Sequence, residues 1–104
     1  MVLSEKYVQN QIRLYCGEHN ILCFRCNVGK IKTYTGGYFD TGLPNGFSDL
    51  IILPGNGLII FVECKTLKGK QREDQIKFQN IVESRGYKYI LAHSLSEFIS
   101  KMTF

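Results

Sequence analysis

Asp49-Leu50-Ile51-Ile52-Leu53-Pro54-Gly55-Asn56-Gly57-Leu58-Ile59-Ile60-Phe61-Val62-Glu63-Cys64-Lys65 consists of two apolar runs separated by four residues that favour turns. Asn-Gly preceded by Pro-Gly is a strong hairpin signal, so the two runs are expected to pair as antiparallel strands. Both are apolar almost throughout, with no hydrophobic–polar alternation. A strand of that kind is covered on both faces, which requires helices on each side of the sheet.

The flanking sequence supplies them. Met1 to Glu18 reads as an amphipathic helix, with Ser4 as its N-cap, Val8, Ile12 and Tyr15 or Cys16 on one face, and Gly17 and Asn20 weakening its end near His19. Ile21 to Val28 reads as a strand, and Lys30 to Phe39 as a second, bent or bulged at Gly36-Gly37. Asp40 to Ser48 is turn-rich and leads into Asp49. After the hairpin, Gln71 to Arg85 carries Phe78, Ile81 and Val82 at helical spacing, with Gly86 placed to end the helix. Tyr87 to Ala92 is then a strand and Ser94 to Met102 a short helix. Four strands precede the second long helix, and the order contains an αβββαβα core. A helical crossover from the strand ending at Lys65 to the one starting at Tyr87 makes those two strands parallel and the sheet mixed, an α/β fold.

With 104 residues, 44% hydrophobic and 21% charged, one domain spanning 1–104 is expected. Such a chain buries roughly two-thirds of its unfolded surface, leaving little room for a separate recognition module. Thirteen Lys and Arg against nine Asp and Glu give a net charge of +4, which permits a polyanionic partner without demanding one. No long apolar segment or leader is present, so a cytoplasmic protein without membrane attachment is expected. The four cysteines sit among apolar neighbours and read as reduced core residues.

Glu63 and Lys65 stand two apart on a strand, so their side chains leave the same face, while Val62 and Cys64 point the other way. A carboxylate in so apolar a run is costly unless it is paired or meets a cation. Alone, these two residues fit an ion pair at a fraying strand end. Asp49 adds a second carboxylate, because antiparallel pairing brings the start of its strand beside the end of the Glu63 strand, at one edge of the sheet. Glu5 lies one turn before Val8 on the inward stripe of the first helix, and Gln75 lies one turn before Phe78 on the second long helix. Either residue is also unremarkable in a first helical turn. Oxygen ligands without histidine or thiolate pairs suit Mg²⁺ or Mn²⁺, and a nearby lysine suits charge developing on a phosphate. Lys68, Lys70 and Arg72 follow in a basic loop, readable as a solvated surface or as a phosphate contact.

Gly46-Phe47-Ser48-Asp49, then Glu63-Cys64-Lys65, then Gln75, with Glu5 in the first helix, resemble the PD-(D/E)xK nuclease superfamily. Within it they resemble the virus-type replication-repair nuclease (VRR-NUC) domain, over nearly the whole chain. The resemblance implies a restriction-endonuclease-like αβββαβα core that hydrolyses DNA phosphodiesters. Asp49, Glu63 and the backbone carbonyl of Cys64 would bind Mg²⁺ or Mn²⁺, with Glu5 joining directly or through water. Lys65 would act on the attacking water and Gln75 would support the site. The family usually has proline before the metal-binding aspartate, where this chain has Ser48. Likeness to Holliday junction resolvases implies a homodimer acting on branched or duplex DNA in replication, recombination or repair, with no nucleotide cofactor.

Two rival readings remain. Cys23-Phe24-Arg25-Cys26 is a CxxC, but it lies inside a strand-like run and no second ligand pair follows, which disfavours redox or zinc chemistry. The other is a catalytically silent DNA-binding or assembly module with the nuclease fold, since a fold alone does not establish activity. His19 and His93 have no partner at metal spacing and read as structural or surface residues.

Overall fold

The computed structural model describes residues 4–102, so Met1 to Leu3 of the expected first helix lie outside the described residues. The elements are α1 (Glu5–Glu18), β1 (Leu22–Arg25), β2 (Lys30–Lys32), β3 (Tyr38–Asp40), β4 (Leu50–Gly55), β5 (Leu58–Cys64), α2 (Glu73–Ser84), β6 (Lys88–Ala92) and α3 (Leu95–Met102). The main sheet has the strand order β1-β4-β5-β6, antiparallel except for the β5–β6 pair. It is the mixed sheet expected from the crossover through α2.

The turn joining β4 to β5 has Asn56 at φ 57° and Gly57 at φ 75°, the left-handed pair that a two-residue hairpin turn requires. Pro54 lies just past the last residue that β1 pairs with, Leu53, and within the shift in the β4–β5 register between Ile52 and Gly55. Its missing N–H therefore costs no ladder bond. Leu50 opposite Val62 and Ile52 opposite Ile60 share one face of the hairpin, and all four are fully buried. They form the core with Ile90 and Ala92 of β6, with Val8, Ile12 and Cys16 of α1, and with Phe98 of α3.

The opposite face is covered more thinly, by α2 and a set of aromatic rings. Phe61 of β5 stands edge-on to Phe47, Phe78 and Tyr87, and Phe78 packs on Phe47 with ring centroids 4.7 Å apart. Two helix ends bear the signals expected of them. Ser4 Oγ accepts the Tyr7 N–H at 3.0 Å at the head of α1. At the end of α2, Gly86 takes φ 86°, its N–H donates to Glu83 O, and the Tyr87 N–H donates to Val82 O, closing the last turn.

Three expectations are corrected. Lys30 to Phe39 is not one strand. The Thr33 N–H donates to Gly37 O and Gly36 takes φ 86°, so the glycine pair expected to bend the strand reverses it, and β2 and β3 pair as a hairpin outside the main sheet. Main-sheet pairing also stops at Arg25, so the strand expected to reach Val28 is shorter. Ile81, expected to face inward, is half exposed, whereas Gln75 is buried on α2. The α2 face that meets the sheet is centred on Gln75 and Val82 because a polar group in the sheet draws Gln75 inward.

Gly46 is buried where the loop before β4 crosses the start of α2. Its φ is 90°, and a Cβ there would lie 2.4 Å from the Asp74 carbonyl oxygen. Gly46→Ala should therefore lower unfolding free energy by about 2 kcal/mol or more. Gly36→Ala, at an equally positive φ but with open space around it, should cost only about 1 kcal/mol or less. Urea denaturation of the two variants beside the parent checks the difference.

Candidate active site

The acidic and basic residues singled out in the sequence meet at the end of the sheet where β4 begins and β5 finishes. β5 is an interior strand of the sheet, so this edge is a strand end and not an outer strand. Asp49 immediately precedes β4. Its Oδ2 accepts the Cys64 N–H at 2.8 Å, which fixes the carboxylate against the last residue of β5. Glu63 is 1% exposed and Lys65 5%, both on the α2 side of the sheet, while the Cys64 side chain is buried on the opposite face. The two residues do form the ion pair that their spacing allows, with Lys65 Nζ 3.8 Å from Glu63 Oε2. That contact leaves most of the electrostatic problem unsolved.

Gln75 reaches the site from α2. Its Nε2 donates to Glu63 Oε2 at 2.9 Å, and its Oε1 accepts the Arg72 N–H at 2.8 Å. One amide thus caps the helix and holds the carboxylate, a capping-box geometry turned toward the site. Glu5 arrives from the first turn of α1 and is exposed. Glu5, Asp49 and Glu63 each offer a carboxylate oxygen, and these oxygens lie within 4.8 Å of one another.

Glu63 Oε1 is buried and has no hydrogen-bond partner. Burial first, and then the negative charge of Asp49, push the Glu63 carboxyl up to about 8 against the opposing pull of Lys65. An orphaned buried carboxylate oxygen facing two further carboxylates is the environment a hard divalent cation relieves. The donor set fits Mg²⁺ or Mn²⁺: oxygen ligands converge, and no histidine or thiolate joins them.

The remaining predicted residues are placed less centrally. Lys68 and Lys70 are exposed in the loop after β5, and Arg72 is the N-cap of α2 with its Nε 3.3 Å from Asp74 Oδ1. Arg72 is thus partly occupied by a surface ion pair that salt screens. Ser48, in the position the resemblance gives to proline, is fully buried and its hydroxyl donates to Leu50 O at 3.0 Å. Cys23 lies in β1 and Cys26 just beyond it, and both are free thiols.

Sequence reasoning overlooked two parts of this region. Phe47, two residues before Asp49, is clamped by Phe61 and Phe78 and so steers the loop into the site. Only its place beside Asp49 hinted at that. His93 follows Ala92, whose carbonyl accepts the Lys65 N–H, and Glu97 accepts hydrogen bonds from both the His93 amide and His93 Nδ1. Although partial burial works against it, these bonds and those from Lys101 hold the Glu97 carboxyl below its ordinary range. The four-residue spacing of His93 and Glu97 on a helix start was the available signal.

A carboxyl raised in the folded state binds a proton that the unfolded chain has already lost, so stability must fall as pH rises from its ordinary 4.5 towards about 8. Metal-free protein should therefore lose thermal stability across that window and level off above it. Glu63→Gln should remove most of the decline, and Mn²⁺ should raise the melting temperature of the parent at pH 8 but not of Glu63→Gln. Thermal unfolding in EDTA and in Mn²⁺ at several pH values reads both effects, and a parent curve flat from pH 5 to 8 would contradict the assignment.

No protein-family model matches the chain, and neither does any curated protein. In three dimensions it is similar to a solved structure of a VRR_NUC domain, with a TM-score of 0.68 over 92% of this chain and 90% of that one, at 21% sequence identity. Identity that low carries the architecture and not the chemistry. The helix-flanked mixed sheet that brings Glu5, Asp49, Glu63, Lys65 and Gln75 together is the fold of a VRR_NUC domain.

Proposed function

We propose that this chain is a single-domain, Mg²⁺- or Mn²⁺-dependent DNA endonuclease that hydrolyses phosphodiester bonds, selective for branched DNA such as Holliday junctions. The observation that carries this reading is the convergence of Glu5, Asp49 and Glu63 oxygens around a buried carboxylate oxygen without a partner, with Lys65 beside it. Occurrence of that cluster at a strand end in a VRR_NUC fold supports it further.

Asp49, Glu63 and the Cys64 carbonyl hold the cation, with Glu5 completing the set directly or through water. When bound, the ion supplies Lewis acidity toward the scissile phosphate and makes water acidic enough to attack near neutral pH. Lys65 orients the attacking water and offsets charge developing on the phosphate oxygens, a task suited to a compact ammonium. Gln75 keeps Glu63 aimed by occupying Oε2, so that Oε1 remains available. Lys68, Lys70 and Arg72 line the approach of the DNA backbone. A chain of this size presents one site, so cutting two strands of a junction calls for a homodimer. A cytoplasmic setting agrees with a fold in which no described helix is long and apolar enough to cross a membrane.

The test incubates purified protein with labelled four-way junction, flap and linear DNAs in Mg²⁺, Mn²⁺ or EDTA. Cleavage should require the metal and should fall by about 100-fold or more in Asp49→Asn and in Lys65→Ala. Metal-independent cutting, or full activity in both variants, rules the proposal out. Binding without any cutting by the metal-loaded parent would instead identify a silent DNA-binding module. Sedimentation at micromolar concentration decides the dimer, which a monomeric mass excludes.

A further inference from the structure

The β2–β3 hairpin is unlike the rest of the molecule. All of residues 30–40 are exposed, and Tyr34 at its turn, Tyr38 and Phe39 are 111%, 70% and 61% exposed. An isolated two-stranded hairpin with neither face buried is marginal in water, so this one is built to meet something. Its composition indicates what. Lys30, Lys32, Tyr34 and Tyr38 combine cations with rings. Lys30, Lys32 and Tyr38 share one face, and Ile31 and Phe39 pair on the other. Asp40 opposes Lys30 and accepts the Gly42 N–H, leaving Lys32 as the cation nearer the tip.

Its root is the candidate active site. Arg25, the last residue of β1, pairs with Leu50, and the next residue, Cys26, donates its N–H to Asp49 O at 2.8 Å. The hairpin base is tied by Gly29 and Thr41, with the Thr41 N–H donating to Gly29 O at 3.0 Å, and the descending chain runs back through Phe47 to Asp49. From Lys30 to the turn is about five residues, a reach of roughly 17 Å at strand spacing. That carries Tyr34 well clear of the protein surface.

Resting on the nuclease reading, we propose that the β2–β3 hairpin is the arm that recognises unpaired nucleotides next to the scissile phosphate. Tyr34 and Tyr38 stack on splayed bases, and Lys32 contacts a phosphate between them. Every base offers a ring face and every nucleotide a negative charge, so rings set beside an ammonium group, as Tyr38 is opposite Lys32, suit single-stranded DNA without sequence preference. A surface for a second copy of this chain would be poor in lysine at its centre, and here Lys30 and Lys32 share a face with Tyr38. Flaps and splayed arms supply such bases and a continuous duplex does not, so the arm gives the site a selectivity for branches that carry a single strand.

The test measures fluorescence anisotropy of two labelled DNAs with the full chain carrying Asp49→Asn in Mg²⁺, so that binding is read with cleavage suppressed. One DNA is a fully paired duplex and the other carries a single-stranded arm on the same duplex. Adding Tyr34→Ala and Tyr38→Ala together should weaken binding to the armed DNA at least tenfold and to the duplex no more than twofold. Lys32→Ala should weaken both and lower the slope of log affinity against log salt by about one. Equal loss on both DNAs in the tyrosine variant, or no loss on either, overturns the proposal. So does a fall from dimer to monomer on light scattering, which would make the hairpin a contact between copies. If the parent chain never cuts DNA while the tyrosine effect on binding persists, the nuclease reading fails and the arm stands. If the parent cuts normally and the tyrosine variant binds like its background, only the arm fails.

Discussion

A carboxylate that is 1% exposed, with one oxygen lacking any hydrogen-bond partner, is the constraint around which this end of the molecule is organised. Glu63 cannot remain there ionised on hydrophobic burial alone. Gln75 satisfies one of its oxygens, Lys65 provides partial charge compensation, and Asp49 is turned so that one of its oxygens is spent on the Cys64 amide. Both long helices start at this end, placing their partially positive termini near the three acids. The fold compensates the acids only in part, so the Glu63 carboxyl is pushed up to about 8, which leaves a site poised for a cation.

That arrangement divides labour between the two faces of the sheet. The α1–α3 face is a dry core in which Val8, Ile12, Leu50, Ile52, Ile60, Val62, Ile90 and Phe98 are all essentially inaccessible. Close packing of that kind leaves little freedom for strands to shift, so the ends of β4 and β5 keep their register. The α2 face is lined by rings and by the polar contacts of Glu63, Lys65 and Gln75, and it buries less. Chemistry is placed on the face whose packing can be spared, and rigidity comes from the other.

The loop between the hairpin and β4 joins several of these functions. Phe47 fastens it to Phe61 and Phe78, Gly46 allows it to pass against the start of α2, and Ser48 closes it onto Leu50 O. A displacement of this loop would move Asp49 and the root of the exposed hairpin together. The site and the element rooted beside it are therefore coupled by the backbone itself.

Local signals in the chain determined much of this. The Asn56-Gly57 turn, Ser4 and Gly86 at helix ends, and the apolar spacing of Val8, Ile12 and Cys16 are short-range effects, each decided by a few neighbouring residues. The placement of Glu63 and Lys65 on one side at the end of β5, and the antiparallel return that places Asp49 beside them, also follow from strand geometry within seventeen consecutive residues. Tertiary structure alone decided that the Lys30 to Phe39 stretch stays outside the main sheet and that Ile81 faces outward. It also decided that Glu5 reaches the acids from the far side of the sheet. Those outcomes depend on which surfaces meet across long sequence separations, and on an unpaired oxygen of Glu63 that only a packed interior can create.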